Sequence, residues 1–195
     1  MTFRLHMEQA AVRALSEFPD KSDIYVITFR IDSVDQDARF PYLAIGYNTE
    51  TEVARLPAEP NPRDAWEARW SYACFPPPGL EGHCVAGHDP ERDPAGAELH
   101  RREAVAQGLW YDDQDGLSEH ERDERGERLD QQFHGLCVDL ARRLHADGRI
   151  VETFGRALPV VLYDMFDPDE MFALTRAANP AELVAEFLAE DPEGR

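Results

Sequence analysis

The stretch Arg156-Ala157-Leu158-Pro159-Val160-Val161-Leu162-Tyr163-Asp164-Met165-Phe166-Asp167 decides how the rest of the chain is read. Pro159 to Tyr163 is a short apolar run, rich in β-branched residues and bounded by turn signals. That is the pattern of a fully buried strand. Three acids, Asp164, Asp167 and Asp169, mark its end. Asp167-Pro168-Asp169-Glu170 then reads as a helix start. Asp167 is placed to cap the free N–H groups, Pro168 fits the first helical position, and Glu170 can reach back to the N–H of the cap residue. The same device recurs at Asn179-Pro180-Ala181-Glu182. The pattern predicts a central strand followed by two capped helices.

Working outward, Met7, Ala11, Ala14, Leu15 and Phe18 recur at near-helical spacing and predict an amphipathic helix over 2–18, ended by Pro19-Asp20. Asp23–Asp32 has strong β-propensity. Tyr25, Ile27, Phe29 and Ile31 are assigned to one face, and Ile24, Val26 and Thr28 to the other. Both faces are apolar, which predicts a central strand. A polar turn leads to a second strand over Arg39–Tyr47, most simply its antiparallel hairpin partner. Thr49-Glu50-Thr51-Glu52 is a capping box for a short helix that Pro57 stops, followed by a loop to Pro62. Alternation of Trp70, Tyr72 and Cys74 against Ser71 and Ala73 predicts a third strand over Arg69–Phe75. The Pro- and Gly-rich run 76–94 reads as an irregular loop or insertion. Ser118-Glu119-His120-Glu121 is a further capping box. It opens the longest helix, which runs to about Asp147 with Gly148 as its stop. Leu129, Phe133, Leu136, Cys137, Leu140 and Leu144 form its apolar stripe, so its back half packs and its charged front half projects. The expected fold is α+β: one domain over 1–195, with a mainly antiparallel sheet from residues near 24–31, 39–47, 69–75 and 157–163, covered by helices.

The chain has 195 residues, 43% of them hydrophobic, which is enough for one sizeable core. No apolar run approaches a membrane span, and the first residues lack the pattern of a secretory signal. Cys74, Cys84 and Cys137 are an odd, sparse set, expected to be free thiols in the cytoplasm. The formal net charge is -19. A chain this acidic is a poor fit to nucleic acid or to an anionic membrane, and a good fit to a basic partner protein. Lys21 is the only lysine, and the wealth of Ala, Asp, Glu and Arg also fits a genome-wide bias.

Candidate chemistry is sparse. Cys74, His83, Cys84 and His88 are zinc-ligand types with part of the required spacing; Asp89 and His100 could extend the set. They carry the alternative of a metal-dependent hydrolase using the 74–100 region. Asp164, Asp167, Asp169 and Glu170 could bind a hard cation but lack the glycine of a calcium loop, and helix capping explains Asp167 and Glu170 without a metal. No glycine-rich phosphate loop, G-x-S-x-G elbow or H-E-x-x-H helix is present, and nothing calls for a cofactor. Cys137 reads as an inert core thiol and His134 as a helix-surface residue. Arg69 and Trp70 form a candidate recognition pair, and Glu119, Glu121, Asp123 and Glu124 a candidate acidic docking face.

The order of features resembles the bacterial DUF4303 family. The resemblance rests on the D-I-Y-V-I-T-F strand, the Asn48-Thr49-Glu50 helix start, Arg69-Trp70-Ser71, and a long helix followed by L-P-V-V-L-Y-D and Asn179-Pro180. Where members continue R-W-S into a second tryptophan segment, this chain has Tyr72-Ala73-Cys74-Phe75. The resemblance implies a small cytoplasmic α+β protein with no established activity, of a kind that includes immunity-type partners of bacterial toxins.

Overall fold

A computed structural model describes residues 1–56, 62–165, 167 and 169–191. In chain order it contains α1 (Phe3–Glu17), β1 (Ile24–Ser33), β2 (Pro41–Thr49), α2 (Glu50–Arg55), α3 (Pro62–Trp70), α4 (Pro77–Leu80), β3 (Cys84–Gly87), α5 (Pro94–Ala106), α6 (Glu119–Ala146), α7 (Arg149–Phe154), β4 (Val160–Asp164), α8 (Glu170–Ala178) and α9 (Ala181–Val184). The fold is α+β. The four strands form one sheet in the order β3-β2-β1-β4. β1 pairs antiparallel with β2 and β2 antiparallel with β3, but β1 pairs parallel with β4. The sheet is therefore mixed. The parallel pair exists because the chain crosses over through α6 and α7 before returning to the sheet.

The capping arguments hold for the longest helix. Ser118 accepts from the Glu121 N–H, and the Glu121 carboxylate accepts from the Ser118 N–H. Buried Leu129, Phe133, Cys137, Leu140 and Leu144 form the packed stripe. Thr49 caps α2 through the Glu52 N–H. Gly148, at φ 70°, follows the end of α6 in the left-handed region that glycine tolerates. Pro57 and Pro168, read as a helix stop and a first helical residue, lie outside the described residues.

The sheet has an apolar layer on each face. The larger joins α1, α6 and α7 to Ile27, Phe29, Leu43, Ile45, Val160 and Leu162. The smaller joins Tyr25, Val26, Val161 and Tyr163 to Trp70, Phe75 and Phe187. Tyr25 thus lies in the same layer as Val26, not with Ile27. A register shift between Ile24 and Val26 overrides there the strict alternation read from the sequence. Gly46 is needed where α4 crosses β2. A Cβ there would meet the Pro78 carbonyl oxygen at 2.0 Å. That close approach lets the buried Thr28 hydroxyl donate to the Gly79 carbonyl.

Three further expectations are corrected. Arg69–Phe75 is not a strand: α3 ends at Trp70 and a 3-10 turn spans Tyr72–Cys74. Ring packing, not strand alternation, spaces these aromatics: Trp70 meets Tyr25 and Phe187, and Tyr72 meets Tyr163. The third strand instead lies inside the irregular 76–94 run, at Cys84–Gly87, which also holds α4. Finally, among the described residues no side-chain cap opens α8 or α9, whose cap positions are Asp169 and Pro180. The Asn179 amide turns instead to β4. It accepts from the Val160 N–H at 2.8 Å and donates to the Val160 carbonyl at 2.7 Å. Thr175 does the same for Leu162, accepting from its N–H at 2.9 Å. A rise of ~6 Å over four helical residues matches ~6.6 Å over two strand residues, so one face of α8 can satisfy the outer edge of β4. An edge so covered is closed to further strand pairing. No helix among the described residues is long and apolar enough to cross a membrane.

Candidate functional site

Because β1 and β4 run parallel, their carboxyl ends lie side by side, with Ile31 opposite Asp164. The crevice outside such paired ends is where open sheets of parallel strands commonly bind ligands. Here it is a cleft of about 320 Å³. The end of β1 contributes Asp32 and Ser33. α6 contributes Glu127, Asp130, Phe133 and His134. The end of β4 and the start of α8 contribute Asp164, Asp167 and Glu170. Six of the lining side chains are carboxylic acids and none is lysine or arginine.

Asp164 is the fixed point of the cleft. It is 4% exposed, its Oδ2 lies 2.7 Å from His134 Nε2, and its Oδ1 accepts from the Asp167 N–H. Burial alone would pull the His134 imidazole down, but the carboxylates of Asp164, Asp130 and Glu170 outweigh it and hold the ring above its ordinary value. Asp130 is pushed up, first by desolvation and then by the neighbouring acids Asp164 and Asp37, with His134 opposing. On the rim, Asp32 is bound by Arg30 at 2.8 Å and by the Tyr42 hydroxyl at 2.9 Å. A second hollow adjoins the cleft across Glu127 and Asp130, and is lined by Asp35, Asp37, Asp123 and Arg122 among others. Carboxylates therefore continue along the front half of α6.

Sequence reasoning assigned His134 to the helix surface; it faces this cleft. The available signal was spacing. Glu127, Asp130 and His134 recur at i, i+3 and i+7, a polar stripe beside the apolar one. Asp164 was noted as a strand terminator and as one of four acids weighed for a hard cation, and Asp32 was not singled out.

The residues that were singled out are dispersed. Trp70 is buried in the smaller core at 3% exposure. Arg69 forks onto Glu50 at 2.7 and 2.8 Å and lies 4.1 Å above the Tyr25 ring, a cation–π stack. Glu119, Glu121, Asp123 and Glu124 are exposed on the first turns of α6. Glu121 is engaged in the capping box, His120 is 3.7 Å from Glu124, and Asp123 lines the second hollow. Cys74 lies in the 3-10 turn. His83 packs edge-on to Phe18, and Cys84 packs against the larger core from β3. His88 is buried against Trp110 and His100. Among the described residues no three His, Cys, Asp or Glu side chains converge as a metal-holding group. Cys137 is fully buried on α6, and desolvation holds its thiol well above the usual range, as an unreactive core residue requires. Compared with protein-family models, with curated proteins and with solved structures, the chain matches none of them.

Proposed function

We propose that the chain is a protein-binding module, not an enzyme, and that its acidic cleft receives a basic side chain of its partner. The observation that supports this is the lining: six carboxylic acids with no lysine or arginine among them. Besides Asp32, which Arg30 pairs, and Asp164, which His134 pairs, the lining offers Glu127, Asp130, Asp167 and Glu170 to an incoming guanidinium or ammonium. The cleft volume of about 320 Å³ is near the small end for ligand cavities, which suits one inserted side chain. The net charge of -19 would steer a cationic partner toward it. In this reading the protein works in the cytoplasm. The DUF4303 resemblance supports the more specific form, an immunity-type protein that occludes a toxin with a cationic nucleic-acid groove. The alternative, a metal-dependent hydrolase on Cys74, His83, Cys84 and His88, has no convergence of ligands behind it among the described residues.

The test is affinity capture from native lysate at low and high salt, with the wild type and with Glu127→Gln/Asp130→Asn. The expected result is a basic protein retained at low salt, reduced at high salt, and lost from the variant. Capture insensitive to both salt and the two substitutions would overturn the proposal.

A further inference from the structure

We propose that α5 and the turn before it form an acid-sensitive segment, latched to the core by the packed rings of His88 and His100 and released when those rings take up protons. His88 follows β3 directly, and His100 lies in the middle of α5. Their ring centroids are 5.2 Å apart at 88°, edge to face. His88 stacks on Trp110 at 5.8 Å and meets Phe40 edge-on. His100 meets Phe3 of α1 and Phe133 of α6, also edge-on. Both residues are buried, at 9% and 5% exposure. His88 Nε2 and His100 Nδ1 are buried with no hydrogen-bond partner among the described residues.

A neutral imidazole carries one N–H; an imidazolium carries two and a charge. Among the described residues neither His88 Nε2 nor His100 Nδ1 has a receiver in this aromatic nest. The charged groups around it do not change that. Arg101, on α5 itself, opposes a proton on His88, and His88 opposes a proton on His100. Asp37 favours a proton on His88, but it is already forked by Arg39. Glu98 lines the outer groove with Arg101 and Trp110. Asp93 is occupied by His6 Nε2 at 2.8 Å and by the Gly87 and Gly96 N–H groups. Phe3 and Phe133 bring no charge. Burial first, then these neighbours, lower both rings from 6.5 to about 4.

The sign follows from linkage. The released segment binds protons at the ordinary histidine value, so it takes up more protons than the latched one. The latch is intact above pH 6.5 and weakens as pH falls toward 4. At pH 5 each histidine, titrating alone, multiplies the opening constant about 30-fold. Release would uncover the Phe40 and Trp110 rings while the sheet, which holds neither histidine, stays formed.

The test is hydrogen exchange of the full chain at pH 7.5 and pH 5.0, corrected for intrinsic rates. Residues 94–106 are expected to lose at least tenfold protection at the lower pH relative to β1 and β4. His88→Phe/His100→Phe is expected to keep it. Unchanged protection in the wild type, or equal loss in the variant, would overturn the inference. If the variant does not fold, NMR titration of the wild-type rings decides. Midpoints below pH 5 support the latch, and midpoints near 6.5 sink it.

Discussion

His134 and His100 are the same side chain in opposite states, and Phe133 belongs to the surroundings of both. It lines the acidic cleft beside His134, and its ring packs edge-on to His100 at 6.0 Å. Burial pulls both imidazoles down. At His134, Asp164 at 2.7 Å and two further acids reverse that pull; at His100 nothing does. The difference teaches that burial alone does not set a histidine's charge. What decides is whether a carboxylate lies within hydrogen-bond reach.

The largest disruption should come from Phe133→Ala, which strikes both regions at once. Phe133 is 1% exposed, and truncating a buried phenylalanine costs about 3–5 kcal/mol. Denaturant unfolding should show a loss of that size. A loss under 1 kcal/mol would mean that the two regions do not share this ring as a support.

Asp164→Asn should act on one side of the comparison only. It removes the carboxylate that holds His134 and leaves that imidazole partly buried beside a neutral amide. A cost of about 1–3 kcal/mol is expected, that of a lost charge-assisted hydrogen bond. His134 should then titrate lower by NMR, while His88 and His100 stay where they are. The pH dependence carries the sign. A raised folded value means that the His134 pair stabilises fully below about pH 6.5 and fades as pH rises through the folded value. Wild type should lose this increment on going to alkaline pH, and the variant should not. An unchanged His134 midpoint in the variant would show that Asp130 and Glu170 suffice to hold the ring.

Ser118→Ala should have the smallest effect, about 1 kcal/mol, as for other helix N-caps. Faster exchange confined to the first turns of α6 is expected, with all three histidine midpoints unmoved. A shift in His134 would show that the projecting turns help to shape the cleft.

Much of the architecture was legible because local chemistry wrote it. The capping box at Ser118, the N-cap at Thr49 and the stripe from Leu129 to Leu144 are short-range signals. The aromatic run around Trp70 was misread because alternation over five residues arises equally from a helix end followed by a 3-10 turn. β3 escaped because it has only four residues and sits among glycines and prolines. Asn179 looked like a cap because Asn-Pro is a common helix start. Only the nearness of Val160 shows its amide serving the strand edge.

The sequence by itself determined the α+β composition, the placement of the long helix, the strands β1, β2 and β4, and the surplus of negative charge. Each is a property of neighbouring residues or of a sum over the chain. Tertiary structure alone decided that β4 returns parallel to β1 and that this brings Asp32, Asp164 and His134 into one cleft. It also decided that His88 and His100 meet with no carboxylate among the described residues to receive His88 Nε2 or His100 Nδ1. These facts depend on which residues distant in the chain come within a few ångströms of each other, and charge states follow from that distance.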